Sequence, residues 1–188
     1  MESRDSRNTL RMKGRIDTKM YDTDELRASV DDYDALSKQE KLDLARESSP
    51  VYEDTVYNVT TDLLHEYFVD NLDPDNTNTE ANVAVSHLAL GDDAATGTDS
   101  TDTELNNQVY TEPVTDVADN GKSLLASTFV DSTEANGFTL DELGLFTGDP
   151  ANSSNPEVFL MNHATFSPVT KDNTKTVTFD VTLTFSDA

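Results

Sequence analysis

From Val177 to Phe185 every second residue is apolar: Val177, Phe179, Val181, Leu183 and Phe185, with Thr178, Asp180, Thr182 and Thr184 between them. A period of two puts the five apolar side chains on one face of a strand, and no helix shares that pattern. Full burial of such a side chain is worth roughly 1.5 to 3 kcal/mol before ordering entropy is charged. The stretch therefore commits the C-terminal part of the chain to a sheet. Lys171, Asp172 and Asn173 supply turn chemistry just upstream, and Phe159 to Val169 is expected as the opposing strand. Pro168 lacks a backbone donor, so that strand should be an edge or carry a bulge there.

The remaining patterns predict an α+β chain in three parts. Residues 1–22 read as a basic extended arm, 23–74 as a helical region, and 80–188 as an antiparallel β-sandwich. In the helical region Ser37 and Glu40 have capping-box spacing within a segment from Asp24 to Glu47. A second helix is expected from Ser49 and Pro50, with Tyr52, Val56, Val59, Leu63 and Tyr67 as its buried stripe. Beyond residue 80, short strands are expected around Val83–Leu90, Asn107–Val117, Ser123–Ser132 and Gly137–Phe146. Turns at Asp119-Asn120-Gly121 and Glu134-Ala135-Asn136-Gly137, and polar loops at 91–104 and 148–156, separate them.

Charge bears on environment rather than fold. Thirteen Lys and Arg face thirty-seven Asp and Glu, a net charge of −24. Such a surface suits concentrated salt, where the Debye length falls to about 3 Å and crowded carboxylates repel far less. Against this background Arg4, Arg7, Arg11, Lys13, Arg15 and Lys19 make the first twenty residues net positive. They are the candidate partner-binding residues: an arm docking on an acidic protein neighbour, with nucleic acid a poor fit to so acidic a chain. Such an arm should be removable without loss of the fold. There is no cysteine, which excludes disulfides and thiolate metal sites. No apolar run nears the about 18 residues of a membrane span, and the N-terminus lacks the apolar core of a secretory signal.

Catalytic signatures are missing: no P-loop, dinucleotide fingerprint, HExxH or GxSxG. His65, His87 and His163 are isolated in sequence. Asp92, Asp93, Asp99 and Asp102 on a Gly-containing loop offer hard oxygen ligands to Ca2+ or Mg2+, although their spacing matches neither an EF-hand nor the nonapeptide calcium repeat, and solvated acidic surface is the competing reading. No other cofactor is indicated. Asn58 and Asn152 stand in glycosylation sequons. A non-enzymatic protein is expected.

Several segments in order, HLALGDD, ELNNQVYTEPV, FTLDELGLFTGD and FLMNHATFSPVTKDNTKTVTFDVTLTF, resemble structural proteins of tailed viruses, of the tail-fibre or tail-collar kind. Glu142-Leu143-Gly144-Leu145-Phe146 and Ala164 to Lys171 carry the likeness most closely, over roughly residues 55 to 186. The arginine usual before the TFSP hairpin is missing; Asn162 and His163 stand in that neighbourhood. Joined to the acidic composition, the resemblance implies a virion protein of a tailed virus of a halophilic archaeon, most simply a baseplate or fibre subunit. Its partners would be copies of itself and other virion proteins. Alternatives are a head decoration or vertex protein, or a module binding host-surface glycan or a cation.

Overall fold

A computed structural model describes residues 10–72, 84–151 and 158–187. The strands are β1 (Leu10–Asp22), β2 (Tyr52–Thr60), β3 (His87–Gly91), β4 (Gln108–Pro113), β5 (Asp116–Asp119), β6 (Ser123–Val130), β7 (Thr139–Phe146), β8 (Leu160–Thr170) and β9 (Lys175–Asp187). The α-helices are α1 (Thr23–Ala28), α2 (Lys38–Glu47) and α3 (Asp62–Leu72). All described strands join one antiparallel sheet in the order β4-β3-β7-β8-β2-β1-β9-β6-β5. The expected α+β content and antiparallel pairing are present, but the strands form one curled half-barrel instead of the two separate sheets of a sandwich.

The curl has two causes. Strand β2 changes partner along its length: Tyr52 to Asn58 pair with β1, and Val59 and Thr60 pair with β8. At the far ends, only Val114 and Thr115 separate edge strand β4 from edge strand β5. The Val114 N–H donates to the Ser86 carbonyl and the Thr115 N–H to that of Ser127, each at 2.8–2.9 Å. The chain thus carries one edge of the sheet straight to the other, which blunts both edges against stray pairing.

Three sequence expectations are corrected. Residues 10–22 are extended but form no free arm: β1 lies inside the sheet, from Leu10 opposite Asp187 to Asp22 opposite Lys175 on one side, with β2 on the other. Residues 52–60 are a strand, and the helix starts only at Asp62. The stripe from Tyr52 also fits period two, since Tyr52, Asp54, Val56 and Asn58 are the half-buried residues between exposed neighbours. Valine, tyrosine and threonine favour that choice. Thr61 caps the new helix, its Oγ1 accepting from the Leu64 N–H at 3.3 Å.

Finally, β8 and β9 do not pair. Strand β9 lies between β1 and β6, and β8 between β7 and β2. They meet instead across the core, where the Phe166 and Phe179 rings stand 5.7 Å apart. Alternation fixes which face is buried but leaves the partner open. The expected irregularity is present: the β7–β8 register shifts between Leu140 and Glu142, opposite the stretch of β8 between Thr165 and Val169 that contains Pro168. The Ser37–Glu40 capping box is also present.

Inner faces of both halves supply the main core, including Ile16, Leu88, Leu143, Val177, Phe179 and Val181, all inaccessible to solvent. A second cluster covers part of the outer face, where Leu26, Tyr33, Leu42 and Ala45 pack on Tyr21 and Phe129. Outward-pointing Thr176 and Thr178 are buried there rather than solvated. Gly14 faces Asn58 across β1 and β2, and a Cβ on Gly14 would lie 1.4 Å from Asn58 Oδ1. The Asn58 amide is therefore enclosed, which removes the first sequon as a glycosylation site; Asn152 lies outside the described residues.

Candidate functional site: a buried Asp–His–Glu clamp and the charged outer face

The acidic loop after β3 does not gather its carboxylates. Asp92 accepts from Asn107 Nδ2, Asp93 from Thr96 Oγ1, Asp99 from the Thr101 N–H and hydroxyl, and Asp102 from the Asp99 N–H. Among the described residues no group of three or more acids or histidines is arranged to hold a metal ion. The expected Ca2+ or Mg2+ site on these four aspartates therefore has no geometry here. Asp93, Asp99 and Asp102 tighten local turns, and Asp92 ties the start of the loop to its end at Asn107.

One member of the loop has a further role. His163 on β8, inaccessible to solvent, reaches Asp102 Oδ2 from Nδ1 at 2.6 Å and Glu142 Oε1 from Nε2 at 2.7 Å. Glu142, on β7 and equally buried, also accepts from the Asn106 N–H at 2.7 Å and the Asn107 N–H at 3.2 Å. Every proton the ring holds is thus donated to an acid. The cluster pins the second half of the 92–107 loop, at Asp102, Asn106 and Asn107, against the β7–β8 pair. The other histidines lie apart, His65 on Thr60 and His87 on Ser86. With carboxylates on both ring nitrogens and no solvent-exposed surface, His163 offers no face to a substrate. It acts as a fastener.

Replacing His163 with Leu should cost about 3 kcal/mol, because Glu142 then stays fully buried without its side-chain partner. Urea titration checks the loss, and Glu142→Gln on the same background should recover part of it.

Helix α2 carries three cations that straddle the seam between β4 and β5. Lys38 Nζ contacts Glu112 on β4 and Glu134 Oε1 at 2.7 Å; Lys41 Nζ meets Asp131 Oδ2 at 2.6 Å; Arg46 reaches Asp116 on β5 at 3.1 Å and Ser127 Oγ at 2.8 Å. Burial raises the Asp131 pKa, but the bonds from Lys41 and Ser132 outweigh it and leave the carboxyl below its ordinary value. A folded pKa below the unfolded one gives stability above about pH 4 that is lost as pH falls through the lower value. Lys41→Met should flatten that acid limb in a thermal-melt pH series.

The candidate partner-binding residues divide. Arg4 and Arg7 lie outside the described residues. Arg11 falls on β1, and Lys13, Arg15 and Lys19 take alternate positions on its outer face. Arg15 is engaged by Asp17 at 2.7 Å. A shallow polar cleft there is lined by Arg15, Asp17, Lys19, Glu53, Asp54 and Asp180. Burial of Asp54 is outweighed by the Ser167 N–H and hydroxyl, the main reason its pKa falls. At one end of the sheet an apolar cleft of about 560 Å³ opens between Leu64, Phe68, Val117, Leu124 and Phe185.

Sequence reasoning missed the clamp, the α2 seam and a buried lysine, Lys171. His163 is the one ionisable residue between Phe159 and Phe166, and that was the available signal; Glu142 stands beside Asp141 and carried none. No helix among the described residues is long and apolar enough to cross a membrane. No family model matches the chain, and neither a curated protein nor a solved structure is significantly similar to it.

Proposed function

We propose that this protein is a non-enzymatic structural subunit of a tailed-virus particle adapted to strong brine, placed in the tail at the baseplate or fibre. The observation carrying the reading is spatial. HLALG, ELGLF and ATFSPVT, the words that resemble tail proteins, fall on β3, β7 and β8, which are consecutive hydrogen-bonded neighbours. Glu142 of the second word and His163, where the resemblance lacks its arginine, are the two residues that meet in the clamp. The motif residues thus form one unit with a shared electrostatic core.

The charge distribution supports assembly as the task. Most described cations serve internal ion pairs, while Lys13 and Lys19 stand outward on β1. Attraction between that face and an acidic neighbour sets register more than affinity when salt screens it. The apolar cleft beside β5 offers a second contact to a copy of the chain or another virion protein. Light scattering in molar salt tests the reading. A defined oligomer that falls apart when Lys13 and Lys19 become Glu supports it, and a monomer at every concentration speaks against it.

A further inference from the structure

Lys171, at the end of β8, has no solvent-accessible surface, yet its Nζ has only two described partners, both uncharged: Asn136 Oδ1 and the Asp172 carbonyl, each at 3.0 Å. Burying an ammonium without a direct carboxylate partner is costly, and proteins avoid the cost by releasing the proton. Burial accordingly pushes the Lys171 pKa down to about 8, against the upward pull of Asp131, Asp172 and Glu134. A neutral lysine amine is a nucleophile, and the group it faces is a carboxamide.

The two residues are held in register by the backbone. The Gly137 N–H donates to the Lys171 carbonyl and the Lys171 N–H to the Phe138 carbonyl, both at 3.0 Å. The Asn136 amide is fixed at both ends, since its Nδ2 donates to the Ser132 carbonyl at 2.8 Å. The turn holding it is strained: Ala135 adopts φ 51°, a region non-glycine residues avoid, and Gly137 follows at φ 91°. Two groups immobilised in this way react as though highly concentrated.

We propose that Lys171 and Asn136 join in a self-formed isopeptide cross-link. Neutral Nζ attacks Asn136 Cγ, a new C–N bond forms, and the bond from Cγ to Nδ2 breaks. Nζ loses one proton to the departing nitrogen, which leaves as ammonia, so the step needs no oxidant, cofactor or second substrate. The link ties the turn between β6 and β7 to the end of β8, closing a loop across the 35 positions that separate the two residues. It joins the two connections, β6 to β7 and β8 to β9, that run between the halves of the curled sheet. This proposal stands apart from the virion reading, since it concerns the isolated chain.

The test is peptide mapping by mass spectrometry of the full-length protein incubated in molar salt at mildly alkaline pH. The expected chain is lighter by one ammonia and yields a branched peptide joining the Asn136 and Lys171 fragments. That peptide should be lost in Asn136→Ser, at a turn position that tolerates the change, and in Lys171→Arg. A chain of full calculated mass without the branched peptide overturns the proposal. So does an ammonia loss that persists in Lys171→Arg, which would mark cyclisation of Asn136 onto the Gly137 nitrogen instead.

Discussion

A chain lacking residues 1–20 is expected to lose its cooperative unfolding transition even in molar salt, whereas one lacking only residues 1–9 keeps it. The longer deletion removes nearly all of β1, which lies between β2 and β9 and contributes Ile16 to the centre of the core. Without it the ladder groups of both neighbours lose their partners at once. Buried unpaired backbone groups are too costly for the sheet to close over the gap. The shorter deletion leaves every pairing from Leu10 to Asp22 in place. Ile16→Ala gives the graded version: about 3 kcal/mol, as for other buried Ile or Leu truncations. Circular dichroism and urea melts of the three chains check the series. A 1–20 deletion that still melts cooperatively would show that the strand is dispensable.

The second large effect is that of salt. Lowering ionic strength from molar to millimolar should abolish the ordered sheet signal, and restoring salt should return it. The net charge of −24 has few internal partners, because the cations of α2 are already committed to acids at the seam. The Lys41–Asp131 pair is largely buried, at 12% side-chain exposure on each partner, and is screened little at any salt concentration. What changes with salt is repulsion among the exposed acids, over a Debye length that grows from about 3 Å at 1 M to about 30 Å at 0.01 M. Conversion of exposed loop acids such as Asp92 and Asp99 to Asn should shift the midpoint toward lower salt. A sheet signal unchanged down to millimolar salt would remove brine adaptation from the account.

Local signals were legible where they were short-range and chemical. The Ser37–Glu40 box, the strands at 123–130 and 139–146, the turn at Gly121 with φ 74°, and the irregularity at Pro168 all follow from neighbouring residues. What failed was partner choice. The alternation at 177–185 places Phe179 in the core but does not say whether β8 or β1 lies beside it; thirteen residues of matching alternation in β1 decide that. Tyr52 to Thr60 satisfied two periods, and only the neighbouring strands resolve them. The basic residues of 10–22 suggested an exposed arm because charge dominated the reading. Yet Met12, Gly14, Ile16, Thr18 and Met20 between them form an inward face that needed two partners to become visible. The acidic loop misled in the same way. Asp93 and Asp99 serve their own turns, Asp92 reaches Asn107, and Asp102 finds a histidine sixty-one positions away.

The central claim is that the folded sheet is a part of a particle. Quantitative mass spectrometry of tailed virions purified by density gradient in strong salt, followed by cryo-electron microscopy of the tail, tests it most directly. The account predicts a fixed copy number per particle, with a curled nine-stranded sheet fitting repeated density at the baseplate or fibre. Purified particles that lack the chain, with all of it recovered as free protein, would contradict it.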